Sequence, residues 1–336
     1  MKLASYKDGS RDGQLVVVSR DLTQAHYASH VANRLQQVLD DWNFLSPQLQ
    51  DIFVALNAGR ARHAFPFDAT QCMAPLPRAY QWVSAAAYPS HTELLRKAAG
   101  LPEAQERSAG PDLLQCAGDA LLGAHDALLC ATEALGLDFC AGVAVVTGDI
   151  PQECAPDRAL DGVRLLMLCN AASLRSLASL DGAPGAAQLQ SRCASAFSPV
   201  AITPDELGEA WGRGKVNLPL QTSWNGRKVG MCEAGDNMGY HFGQLLALLA
   251  KTRPLRAGSI VGAGPVSNVG VEKKGQWTWP KGFHSIAEKR AMETLQDGQA
   301  ATEYLRFGDT LRIEMKDAAG HSLFGAIEQE VVPLTI

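Results

Sequence analysis

Two apolar runs near the middle of the chain, Val143–Thr147 and Val163–Cys169, have the length of buried strands, and Gly, Asp and Pro break the chain between them. If the two strands share a sheet, the residues before the first and after the second lie side by side, which is where a site would be built. At the N-terminus, Lys2–Tyr6 and Leu15–Ser19 predict a strand pair around a turn over Asp8–Gly13. Asp21–Gln24 reads as a capping box opening a helix with Val31, Leu35 and Val38 on one face. Ser46-Pro47 predicts the start of another helix, with Leu49, Ile52 and Leu56 on its apolar face and Gly59 at its end. These elements make a small α+β module ending near Asp68.

Two prolines at Pro75 and Pro77 then predict an extended connection. His91–Ala99 predicts a short helix, and the polar Glu103–Pro111 a surface loop. Asn217–Gly226 and Val229–Ala234 predict a hairpin turning at Asn225-Gly226. Asn237–Arg253 predicts an amphipathic helix with Leu245, Leu246, Leu249 and Ala250 on its stripe, stopped by Pro254. Ser285–Met292 predicts a short helix, and Tyr304–Met315 with Leu323–Gln329 a closing β-pair.

Composition narrows the class. The 336 residues suffice for one large domain or two ordinary ones; 46% are hydrophobic and 19% charged, which suits a soluble chain with a substantial core. The net charge of −5, without a basic block, argues against a nucleic-acid surface. No apolar run approaches membrane-spanning length, so no membrane partner is expected. The opening MKLASYKDGSRDGQ lacks the apolar core of a signal peptide. The eight cysteines include no C-x-x-C pair, and several sit inside apolar runs; they read as reduced, buried thiols of a cytoplasmic protein. The pair Gly262-x-Gly264 lacks a third glycine and is followed by Pro265, which argues against a nucleotide loop.

The candidate chemistry rests on a resemblance. Asp138-Phe139 followed by Val143–Asp149 (VAVVTGD), then Asn170 with Ser173-Leu174-Arg175, resemble the D-F-E-x-E-V-A-V-V-T-G-D and N-D-x-S-L-R patterns of the fumarylacetoacetate hydrolase family. Leu113–His125, Gln190–Val200, Arg256–Asn268 and the closing strands match further family motifs, so the likeness runs from the first strand to Glu330. It implies an α+β fold, with a small module over residues 1–74 and a large, mostly-β domain of rolled mixed sheet over 75–336, assembled as a homodimer.

In that family three carboxylates at positions 140, 142 and 171, with a fourth at Asp119, hold a divalent cation. Here they read Cys140, Gly142 and Ala171. Two of these offer no side-chain ligand and the third is a soft thiol, whereas a hard cation wants oxygen. The family lysine is Arg192, which keeps the charge but cannot exchange a proton, and the family threonine is Pro265. Neither a metal nor any other cofactor is expected.

The resemblance leaves Arg192, His125 and Cys140 as candidates for catalysis, and Asp119, Gly142, Asn170, Ala171 and Pro265 as the pocket. Beside these stand plainer readings: a turn residue for Asp119, surface residues for His125 and Arg192, an inert buried thiol for Cys140. Three functions follow: a repurposed, metal-independent enzyme on a small diketo, β-keto or related substrate; a silent protein binding a keto or carboxylate ligand or a partner; or a conventional metal-dependent C–C hydrolase.

Overall fold

A computed structural model describes residues 1–102, 110–178 and 185–335. Of the loop expected over Glu103–Pro111, residues 103–109 lie outside the described residues. The fold is α+β, with a small N-terminal unit followed by a large, mostly-β C-terminal one.

The two units share a sheet. Among the described residues its strands run in the order Phe65–Pro66, Gln24–Tyr27, Gln14–Val18, Lys2–Tyr6, Ala201–Ile202, Val163–Asn170, Ala141–Thr147, Ser259–Gly262, Gln81–Ala85 and Leu113–Cys116. Lys2–Tyr6 meets Ala201–Ile202 in antiparallel register, so the N-terminal strands continue the C-terminal sheet. The pairing of Ser259–Gly262 with Gln81–Ala85 is parallel, which makes the sheet mixed.

The two central apolar runs are strands because both faces of this sheet are covered. Val143, Val145, Leu166 and Leu168 pack on one face against Leu220, Ile313, Met315 and Ile327 of a five-stranded second sheet. Ala144, Val146, Leu165 and Met167 pack on the other against Leu35, Val38, Leu39, Leu49 and Phe53 of two N-terminal helices. Alternation is present along each strand, but both faces see apolar partners, so the sequence reads as a continuous run.

Several expected boundaries move. Asp21 opens no helix: its carboxylate accepts from Ser19 Oγ (2.6 Å) and from the Thr23 N–H (3.1 Å), closing a tight turn. Gln24–Tyr27 is then free to pair with Val16–Val18 as a strand. The helix carrying Leu35 and Val38 begins at Leu35, where the Gln37 side chain accepts the Arg34 N–H. The next helix spans Trp42–Asn57 with exposed Pro47 inside it, so Pro47 does not mark its start. Phe242–Leu249 is shorter than the Asn237–Arg253 pattern, because Asn237 sits at φ 56° and Gln244 caps at His241. Ile286–Asp297 is longer than expected, capped by Ser285 and closed by Gly298. The hairpin at Asn225-Gly226 stands as expected, with both residues at positive φ.

Candidate active site

The antiparallel register of Ala141–Thr147 with Val163–Asn170 sets Gly142 opposite Cys169 and Ala141 opposite Asn170, and the Ala171 N–H bonds the Cys140 carbonyl (2.9 Å). Cys140, Gly142, Asn170 and Ala171 therefore come together at one end of the strand pair, and all are buried. Asn170 Oδ1 accepts the Cys140 N–H (3.0 Å), while Asn170 Nδ2 donates to Gln329 Oε1 (3.0 Å). Pro265 joins them: Val266, which follows it, donates its N–H to the Ala141 carbonyl (3.0 Å).

The residues at this centre do not fit a hard cation. A Cβ at position 142 would lie 2.3 Å from the Gly264 carbonyl oxygen, inside any van der Waals contact. Gly264 sits at φ +84°, and a Cβ there would itself lie 2.4 Å from the Ala85 carbonyl oxygen, so the Gly264-Pro265 segment is wedged between two strands. The space a carboxylate arm would need at 142 is filled by backbone. Ala171 is buried without a polar side chain, and the described residues contain no group of three or more His, Cys, Asp or Glu able to hold a metal. Burial pushes the Cys140 thiol up, against the opposing pull of Arg175, so it is held protonated and un-nucleophilic. Burial likewise raises Cys169 and Cys116, which lie within electrostatic reach of Cys140. Cys116, Cys140 and Cys169 thus form a cluster of buried thiols at this centre.

The remaining sequence candidates separate. Asp119 is exposed and lines a groove of about 490 Å³ with Arg34, Arg78 and Tyr80. His125 lines a different cleft of about 570 Å³, its Nδ1 3.7 Å from Glu328 Oε2, and burial chiefly lowers its pKa. The His125 cleft is linked to the Cys140 centre by Gln329, which also lines it: its Oε1 accepts from Asn170 Nδ2 (3.0 Å) and its Nε2 donates to the Asp126 carbonyl (2.9 Å). Arg192 is half-buried, within electrostatic reach of Cys116, Cys140 and Cys193. Its Nε is buried and has no hydrogen-bond partner among the described residues. A buried guanidinium N–H without an acceptor is a donor in need of an anion.

One pair escaped the sequence reading. His91, in the first turn of the Pro89–Ala98 helix, places Nδ1 3.8 Å from Oε1 of Glu288, in the first turn of Ile286–Asp297. The Glu288 side chain is 1% exposed and the His91 side chain 13%, and His91 Nδ1 has no hydrogen-bond partner among the described residues. Among the described residues His91 is the basic group within ion-pair distance of Glu288. Ser267 Oγ donates to Glu288 Oε1 (2.5 Å), and Ser90 Oγ donates to Ser267 Oγ (3.0 Å). The pair adjoins the thiol cluster: Ala141 is clamped between the Val266 N–H and the His284 carbonyl (both 3.0 Å), on the segments that carry Ser267 and Glu288. The sequence does hold a signal for it. Glu288 shares a helix face with buried Ala291 and Met292, and a carboxylate on an apolar stripe asks for a partner.

Comparison with known proteins follows the same lines. Residues 1–78 match the family described as fumarylacetoacetase N-terminal domain 2, and residues 81–332 the family described as fumarylacetoacetate (FAA) hydrolase C-terminal. No curated protein matches the sequence. Among solved structures, a fumarylacetoacetate hydrolase from psychrophilic Exiguobacterium antarcticum superposes with a TM-score of 0.65 at 16% identity, over 99% of this chain and 100% of that one. The maleylpyruvate hydrolase of Sphingobium sp. SYK-6, in complex with manganese(II) ion and pyruvate, gives 0.63 at 14% identity, over the whole of both chains. A 5-carboxymethyl-2-hydroxymuconate delta-isomerase from Mycobacterium smegmatis gives 0.60 at 14%, again over the whole of both. At these identities the likenesses show the fold.

Proposed function

The chain belongs to the fumarylacetoacetate hydrolase family, and from that premise we propose that it is a metal-independent acid–base enzyme acting on a small keto acid or β-diketo acid. The observation that carries this reading is the buried Glu288 carboxylate beside His91. His91 Nδ1 makes no hydrogen bond to Glu288 at 3.8 Å; closing that gap on substrate binding would leave Nε2 for proton transfer. A neutral imidazole there takes a proton from the carbon next to a carbonyl, and Glu288 favours the imidazolium that forms. The proton returned to oxygen, or to a different carbon, gives an enol or a shifted double bond. Such a tautomerisation balances without water, oxidant or metal.

The unpartnered Arg192 Nε supports an anionic substrate, since a carboxylate would satisfy it. The keto-acid class also suits relatives of this fold, one of which is described with manganese(II) and pyruvate. Conventional C–C hydrolysis through a hard cation is disfavoured by Cys140, Gly142 and Ala171. A second reading, a silent ligand-binding protein, is favoured by one observation: the backbone packing against Gly142 closes part of the centre.

Proton exchange separates the two. The protein is incubated with pyruvate, oxaloacetate or acetopyruvate in D2O, and deuterium entry at the carbon next to the carbonyl is followed by NMR. The enzyme reading expects exchange above the buffer rate, reduced by roughly 10²-fold or more in His91→Gln and in Glu288→Gln. Exchange at the buffer rate with all three acids, from a protein that still binds them, leaves the silent reading.

A further inference from the structure

Away from the centre, a cleft of about 460 Å³ runs in from the surface between Glu133–Gly136 and Glu303–Arg306. Three guanidinium groups line it: Arg175, Arg290 and Arg306. Arg175 lies deep, its side chain 17% exposed, 2.8 Å from Asp138 Oδ2 and 3.7 Å from Cys140 Sγ. Arg306 pairs with Glu303 near the rim, both largely exposed. Arg290 is half-buried and lies 4.8 Å over the Tyr304 ring, donating to the Thr302 carbonyl. No carboxylate among the described residues lies within ion-pair distance of Arg290. Glu133 is exposed, and its carboxylate already accepts the Phe307 N–H (2.9 Å).

A half-buried guanidinium with planar donors, no counter-ion and a cavity in front of it is built to take an oxyanion. The geometry points to a second ligand site, separate from His91–Glu288, in which a small carboxylate or phosphate sits on Arg290 and reaches towards Arg175 and Arg306. The site is also placed to be felt at the centre. Arg175 spans from this cleft to Asp138, whose carboxylate accepts the N–H groups of Ile286 (2.5 Å) and Ala287 (3.1 Å) at the start of the helix that carries Glu288.

Titration calorimetry on the full chain tests this with three probes in separate arms: succinate, pyruvate and inorganic phosphate. The expected result is saturable binding of at least one, weakened about tenfold or more in Arg290→Gln and by added salt, and kept in His91→Gln. Tighter succinate would identify a carboxylic acid as the ligand class, and tighter phosphate a phosphate. Tyr304→Phe provides a second variant that leaves every charge in place and is expected to weaken binding by a smaller factor. No saturable binding in any arm overturns the proposal, as does equal affinity in wild type, Arg290→Gln and Arg306→Gln. Binding that disappears in His91→Gln but persists in Arg290→Gln belongs to the centre and overturns the second site while leaving the proposed function standing.

Discussion

Arg175 and Asp138 form a buried ion pair that ties three segments together. Arg175 Nε and Nη2 both lie 2.8 Å from Asp138 Oδ2, and the Asp138 side chain is fully buried. The same carboxylate caps the Ile286–Asp297 helix through the N–H groups of Ile286 and Ala287. Asp138 thus does three jobs: it neutralises Arg175, complements the positive end of the helix dipole and fixes where Glu288 stands. The pair belongs to the motif residues that match the family, whereas the residues between them, Cys140, Gly142 and Ala171, do not. The flanking motif residues are kept, and positions 140, 142 and 171 carry no side-chain oxygen.

Removing Arg175 is expected to be costly. Arg175→Met leaves Asp138 buried beside two N–H groups but without its cation, and stability should fall by about 3–5 kcal/mol. Urea denaturation checks this. A loss below about 1 kcal/mol would mean that the helix N–H groups hold the carboxylate unaided.

Much of the fold was legible because its strongest signals are local. Val143–Thr147 and Val163–Cys169 are apolar throughout because helices cover one face and a second sheet the other. Asn225-Gly226 announces its own turn. Asp21 misled because a short acceptor side chain closes a tight turn as readily as it caps a helix, and only strand pairing decides between them. Cys140, Gly142, Asn170, Ala171 and Pro265 were named from motif positions of the resemblance; strand register sets Gly142 opposite Cys169 and Ala141 opposite Asn170, and the Val266 N–H to the Ala141 carbonyl brings in the Pro265 segment. Asp119 and His125 were placed by motif position alone, and the chain routes them to separate grooves. His91 and Glu288 are far apart in sequence, and their meeting depends on the packing of two helices, which no local pattern states.

The centre should resist simple restoration of a metal site. Adding even a methyl group at Gly142 sets it against the Gly264 carbonyl, so Gly142→Ala should destabilise by about 1–3 kcal/mol through overpacking. The combined variant Cys140→Glu, Gly142→Glu, Ala171→Asp should then show no rise in melting temperature on addition of Mn²⁺ or Mg²⁺. A metal-dependent rise in that variant would mean that the Gly264-Pro265 segment gives way, and that the centre was emptied without being closed.

Acid should weaken the fold through His284. Its ring is fully buried, with Nδ1 bonded to Thr222 Oγ1 (2.8 Å) and Nε2 accepting the Cys232 N–H (3.2 Å). Burial lowers its pKa from 6.5 to about 4, so the folded state holds it neutral. Between those two values the unfolded chain binds a proton that the folded chain does not, and stability therefore rises with pH across that window. The slope from this residue approaches about 1.4 kcal/mol per pH unit near pH 5, midway between the two values, and fades towards either end. Denaturation curves across the window should show it, and His284→Asn should flatten it. An unchanged slope in that variant would assign the acid sensitivity to other groups.

Thiol chemistry at the centre should be silent. Cys140 and Cys169 are buried, with burial raising both thiols, and Cys193 is pushed up to about 12 by burial. The thiolate is the form that alkylates, and at neutral pH these positions hold almost none of it. Cys154 is partly exposed. Brief treatment of the native protein with iodoacetamide at neutral pH, followed by peptide mass spectrometry, should therefore find label at Cys154 and leave Cys140 and Cys169 unmodified until the chain is unfolded. Rapid labelling of Cys140 in the native state would mean that Arg175 and Arg192 outweigh burial and supply an activated thiolate. The proton-abstracting base would then be a cysteine thiolate in place of His91, and the loss of exchange activity would follow alkylation instead of the His91→Gln substitution.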